Sequence, residues 1–169
     1  HADVMIAGGA EELCPTMAIV FDTLFATSCR NDAPHTAPKP YDRDRDGRVI
    51  GDGGAALILE EREHALARGA TIYAEIVGFG TNMDGSHVTD PKSETMGEAL
   101  NLALGDAGLP SQAIGFVSGH GTATLQGDTA ETIATSRVLG PAAPIHSLKG
   151  YFGHTLGACG AIEAWLTIE

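Results

Sequence analysis

Cysteine, basic charge and long apolar runs are all scarce in this chain of 169 residues. Its three cysteines, Cys14, Cys29 and Cys159, stand far apart. That spacing fits neither a disulfide framework nor a CxxC or Cys/His zinc site, so no metal is expected. The odd count reads as reduced thiols in a cytoplasmic protein. Ten Lys plus Arg face 22 Asp plus Glu, a formal charge of −12. A general nucleic-acid binder needs a basic face to displace counterions, and an anionic lipid surface attracts one too. Neither partner is therefore expected. No apolar run approaches a membrane span.

What is present is a 43% hydrophobic chain carrying 22 glycines. A compact chain of this size buries roughly 68–70% of its unfolded surface, enough for a core. Fold-wide disorder is excluded by the apolar content. The chain opens on His1, Ala2 and Asp3, runs straight into an apolar strand, and stops at Glu169 inside an apolar helical pattern. Both ends are expected to lie within structure, in the middle of a larger domain.

Val4 to Ala7 predicts a buried strand ended by Gly8 and Gly9. Glu11 to Ala26 has loosely helical spacing. Residues 30–53 read as a charged, turn-rich loop. Ala55 to Leu59 predicts a strand, Glu60 to Arg68 a short helix closed by Gly69, and Ile72 to Phe79 another strand. Met96 to Ala107 forms one helical face stopped by Gly108 and Pro110. Strands follow at Ile114 to Val117 and Ile145 to Leu148. Between them Asp128 and Glu131 have the spacing of a capping box, opening a helix that ends at Gly140. From His154 onward a helix rich in small residues is expected between two layers. Alternating helices and strands predict an α/β fold with βαβ units and a mostly parallel sheet.

Function in such sheets gathers beyond the carboxyl ends of the strands. One loop there runs Ser118 to Thr124, the other Lys149 to His154. Each presents an imidazole, His120 or His154, flanked by glycine. Imidazole is the side chain best suited to proton exchange near neutral pH. The bland alternative is a histidine satisfied by backbone in a tight loop.

These segments carry a resemblance. HGTAT (120–124) and KGYFGHTLGACGA (149–161) resemble the two histidine motifs of the β-ketoacyl-acyl-carrier-protein synthases, within the thiolase superfamily. AGGAEELCPTMA (7–18), RNDAP (30–34), YDRDRDGRVIGDGGAALILEE (41–61), HALARGATIYAEIVGFG (64–80) and GDTAE (127–131) extend the match over essentially the whole chain. The GGAEELC stretch is most similar to the bacterial type II synthase I branch. Through LKGYFGHTLGACGAIEAW (148–165) a finer resemblance is to synthases of aryl-polyene-type pathways.

The resemblance implies a thiolase-like layered αβαβα fold, present in part. Residues 1–60 would end its N-terminal half, and 61–169 would form its C-terminal half, broken off before the end. It implies a decarboxylative condensation of malonyl-acyl-carrier protein with an acyl thioester, as in fatty-acid and polyketide synthesis. His120 and His154 would donate hydrogen bonds to the enolate oxygen, with Lys149 beside them. Glu131 would support the lysine–histidine network, and Asp128 and Glu131 can cap a helix as well. Thr122 and Thr124 would bind the phosphopantetheine arm, which the substrate carries, so no separate cofactor is implied. Acyl carrier protein would be the partner, in a homodimer or a ketosynthase-like heterodimer.

The family's nucleophilic cysteine lies upstream of AGGAEE, so this chain holds none and is expected to be inactive alone. Cys14, Cys29 and Cys159 fall elsewhere and read as small buried side chains. The rival is a non-catalytic subunit similar to a chain-length factor. A thiolase-like enzyme is disfavoured by the paired histidines. Asp42, Asp44 and Asp46 mimic a calcium loop, but Gly53 stands where a bidentate Glu is needed. That loop instead reads as Arg43, Arg45 and Arg48 pairing with those aspartates, and by resemblance it packs near the dimer interface and the active-site cover.

Overall fold

A computed structural model describes residues 2–169. Among the described residues the strands form two two-stranded sheets. Strands β1 (Val4–Glu11) and β2 (Gly53–Glu60) run antiparallel, from Val4 opposite Glu60 to Glu11 opposite Gly53. Strands β3 (Val117–Ser118) and β4 (Ile145–His146) run parallel and are shorter than predicted. Helix α4 (Leu125–Leu139) connects them, giving the predicted strand–helix–strand unit.

Helix α1 covers Pro15–Thr23, shorter than its periodicity suggests. Pro15 fits a first helical position, where its missing N–H costs nothing. Phe25, at φ 53°, turns the chain out of the helix. Helix α2 (Arg62–Ala67) starts at Glu61, whose carboxylate accepts the His64 N–H at 2.7 Å. Helix α3 (Ser93–Ala107) ends, as expected, on a left-handed Gly108.

The predicted strand over 72–79 carries no ladder pairing. The segment runs along α3 instead, with the Phe79 N–H donating to Asp106 Oδ2 at 2.9 Å. Its β-branched pattern suits extended backbone, but a strand also needs a hydrogen-bonding neighbour. Ile76 and Phe79 stay 74% and 71% exposed. The last helix also departs from expectation. Helix α5 (Lys149–Phe152) is followed by a 3-10 turn at Leu156–Ala158 and then by α6 (Cys159–Ile168). Leu156, at φ 42°, breaks the run. Helix α6 is not enclosed between two layers. It lays Ile162 against Gly53 of β2 and leaves Trp165 half exposed.

Large apolar side chains are mostly at the surface. Strand β1, predicted to be buried, exposes Val4, Met5 and Ile6; among the described residues β2 is its ladder partner, and burial of these side chains would need a layer packed on the sheet face. The cross-strand pair Ile6 and Ile58 is exposed on both sides. The cysteines also depart from expectation: Cys29 is exposed, and Cys14 and Cys159 are half-buried. Cys29 lies in the loop after α1, where its N–H is tied to Asp46 and its side chain has no core to enter. The buried side chains are small or polar, and the most deeply buried include Ala123, Ala134 and Ala158 with Thr122, Asp128, Lys149, His154 and Thr155. The best-buried region is thus the neighbourhood of the two histidine loops.

The carboxylates of the charged loop stay exposed and bind neighbouring donors. Asp42 accepts the Asp44 N–H, and Asp46 accepts the Ser28 hydroxyl and the Cys29 N–H. The expected local pairing holds for Arg43 with Asp44. Arg45 pairs with Asp128, and Arg48 lies over the Phe21 ring, 4.6 Å from its centre. Asp46 takes Arg30 as its partner. These residues prefer distant partners because the loop is folded down onto α4 and α1. Among the described residues, no helix is long and apolar enough to cross a membrane.

Candidate functional site

The parallel pairing of β3 and β4 brings the two histidine loops side by side. The Gly119 N–H donates to the His146 carbonyl at 2.8 Å, and the Ser147 hydroxyl donates to the Gly121 carbonyl at 2.8 Å. The rings of His120 and His154 meet edge to face, with centres 4.9 Å apart and planes at 85°.

His154 is fixed by backbone on both sides. Its N–H donates to the Val49 carbonyl at 2.7 Å, and its carbonyl accepts the Gly51 N–H at 3.0 Å. The residue is buried. The Leu156 N–H points at Nδ1 from 3.3 Å. A backbone N–H can only donate, so Nδ1 is the acceptor and the proton sits on Nε2. His120 is held differently. Its N–H donates to Glu131 Oε1 at 2.6 Å, and the residue stays open to solvent.

Asp128 and Glu131 do not open a helix. Helix α4 begins at Leu125, so both lie inside it and the capping-box expectation is corrected. The His120 loop folds back over the start of this helix, and its amides meet the two acids there. Glu131 accepts the N–H groups of His120 and Gly121, the latter at 2.8 Å, and the Tyr41 hydroxyl at 2.7 Å. Asp128 accepts the Ala123 N–H at 3.1 Å and the Tyr41 N–H at 2.7 Å, with Arg45 Nε 3.5 Å away.

Lys149 is almost wholly buried, and its ammonium is paired with Glu163 of α6, not with Glu131. Sequence reasoning passes over Glu163. The available signal is a lone carboxylate on an otherwise apolar helix, where an acid needs a partner. Tyr41 escapes it as well, hidden in a motif whose Asp and Arg residues draw attention. Thr122 and Thr124 share one hydrogen bond between hydroxyls, 3.0 Å long.

Electrostatics keep both imidazoles neutral. Burial, then the Lys149 charge, lowers His120 to about 4. Burial, His120 and Lys149 lower His154 to about 3, with Arg48 adding a little. Solvent at the open side of His120 screens part of its shift. Burial and the Glu131 charge push Tyr41 far up, so its phenol stays protonated. Burial raises the Cys159 thiol too, which suits an inert side chain. Among the described residues, no group of three or more His, Cys, Asp or Glu sits where it could hold a metal ion. The site offers two neutral imidazoles converging at a loop junction, backed by a buried cation.

Two family models match successive parts of the chain. The family described as "Beta-ketoacyl synthase, N-terminal domain" matches residues 1–65, and "Beta-ketoacyl synthase, C-terminal domain" matches residues 73–169. The 3-oxoacyl-[acyl-carrier-protein] synthase 2 of Vibrio cholerae serotype O1 is 47% identical over 99% of this chain and 42% of its own length. A beta-ketoacyl synthase crystal structure from Burkholderia phymatum superposes with TM-score 0.96 at 61% identity, over 98% of this chain and 41% of that one. A type II polyketide ketosynthase, solved in complex with its acyl-carrier protein and bound to a hexaketide, superposes with TM-score 0.94 at 40% identity. It is matched over 99% of this chain and 43% of its own. The chain thus spans about two fifths of the length of these relatives.

Proposed function

The chain belongs to the beta-ketoacyl synthase family, and from that premise we propose that it carries the decarboxylation half of a condensing site. The observation behind the reading is the pair of neutral imidazoles, 4.9 Å apart and nearly perpendicular, one with its proton on Nε2. Decarboxylation breaks the bond between the malonyl α-carbon and its carboxylate. Carbon dioxide leaves, and the electron pair moves toward the thioester oxygen as an enolate. Two N–H donors directed at that oxygen stabilise the charge as it forms. Neutral imidazole suits the role because it need not give up its proton. The enolate carbon then attacks an acyl thioester held on a cysteine outside these 169 residues, expelling the thiolate.

Lys149 places a positive charge beside both rings. That charge opposes their protonation. Thr122 and Thr124 lie at the end of the His120 loop, where a phosphopantetheine arm would pass, and acyl carrier protein would deliver it. The related ketosynthase solved with its carrier protein supports this partner. The full protein would act as a dimer, of like subunits or with a second ketosynthase-like chain.

Full-length protein supplied with malonyl-acyl-carrier protein and an acyl primer tests the reading. Carbon dioxide release with formation of a β-ketoacyl product is expected. A residue other than Cys at the upstream nucleophile position, with no product formed, would instead identify a chain-length-factor-like partner.

A further inference from the structure

We propose that Tyr41 is a positioning residue for His120, acting through Glu131. The inference rests on the function proposed above. Tyr41 grips both acids of α4 at once: its hydroxyl donates to Glu131 Oε2 at 2.7 Å, and its backbone N–H donates to Asp128 Oδ2 at 2.7 Å. It does so from φ 63°, a left-handed conformation that costs a non-glycine residue about 1–2 kcal/mol.

The two glycines that flank His120 make room for the phenol. A Cβ on Gly119 would stand 2.1 Å from the Tyr41 hydroxyl oxygen, and one on Gly121 would stand 2.8 Å from it. The ring therefore fills the space beside the His120 backbone, while Glu131 holds its amide. Glu131 Oε1 receives the His120 N–H, and Oε2 receives both the Gly121 N–H and the phenol. Losing the phenol leaves the carboxylate with backbone donors alone, all from the loop it is meant to fix. The anchor from outside that loop is gone.

Arg45 makes the hydroxyl separable from loop docking. Its guanidinium donates to the carbonyls of Thr124 and Leu125 at 3.2 and 2.9 Å, and to the Thr129 hydroxyl at 2.9 Å. The segment thus stays seated on α4 without the phenol. Burial and the Glu131 charge keep that phenol protonated, so it is a constant donor.

The test uses full-length protein and measures malonyl decarboxylation, with kcat and KM for malonyl-acyl-carrier protein. Tyr41→Phe should lower kcat about tenfold and leave KM unchanged, as expected for loss of a hydrogen bond to a charged group. On a His120→Ala background it should cost nothing further. On a His154→Ala background the full tenfold loss should persist. Glu131→Gln provides the same three-way comparison if the Phe variant does not fold. Wild-type kcat in Tyr41→Phe, or an equal loss on both histidine backgrounds, overturns the positioning role alone. A wild-type rate in His120→Ala overturns the proposed function and this inference with it.

Discussion

His154 and His120 reach one junction by different routes. His154 is locked by its own strand-like backbone pairing on both sides of the residue, and its ring is turned by a neighbouring N–H. His120 depends on a carboxylate from α4 and, through it, on a tyrosine from the charged loop. The first support is backbone alone, reached through a glycine-bearing turn. The second is assembled from three segments distant in sequence. The contrast teaches that two groups meeting at one junction need not share one support, and that their sensitivities to mutation should diverge.

The largest effect is expected behind His154. Glu163→Ala strands the buried Lys149 ammonium and should destabilise the fold by about 3–5 kcal/mol. Lys149→Ala should cost less, because Glu163 is the more exposed partner. Denaturant midpoints of the two variants give the ranking, and the reverse order would break the picture of Lys149 as the group that needs its partner.

Next come the imidazoles themselves. In full-length protein, His120→Ala and His154→Ala should each slow malonyl decarboxylation about 100- to 1,000-fold, the usual cost of one oxyanion donor. Loss from only one of them would show that the pair does not act jointly.

A smaller effect separates the supports. Gly153 sits at φ 78°, and a Cβ there would lie 2.9 Å from the Val49 carbonyl that receives the His154 N–H. Gly153→Ala should cost about 1–2 kcal/mol of stability. It should also slow decarboxylation while leaving the Tyr41→Phe effect intact, since that effect runs through His120. Coupling between the two variants would merge the routes.

The smallest effect is pH dependence. An unfolded histidine titrates at the ordinary 6.5, whereas the folded values are about 4 for His120 and about 3 for His154. As pH falls below 6.5 the unfolded chain takes up protons that the native chain refuses, so stability falls. The loss continues until pH has passed the folded values. His154→Asn should flatten this dependence more than His120→Asn, because His120 is partly solvated. Unfolding midpoints near neutral pH and about two units lower check the difference.

Both histidines, the lysine and the strand–helix–strand unit that joins their loops are legible in the sequence. Short motifs containing glycine and imidazole survive as strings because a tight loop needs neighbouring residues. Glu163 is legible only as an acid that needs a partner, while its tie to Lys149 is not, since it crosses from α5 to α6. Tyr41 is hidden for the same reason, 90 residues from Glu131. The 72–79 segment reads as a strand because side-chain pattern reports extended backbone, and pattern cannot say whether a neighbouring strand supplies hydrogen bonds.

The scarcity of cysteine and of basic charge narrows the chemical class from composition alone. By itself the sequence determined the family, the two imidazoles and the glycine-rich loops that carry them, because these are local in the chain. Tertiary structure alone decided which carboxylate holds which group. Glu131 serves the His120 backbone, Glu163 serves Lys149, and Asp128 serves Tyr41 and Arg45. The reason is physical. A buried charge must find a partner through space, and sequence separation places no limit on which one it finds.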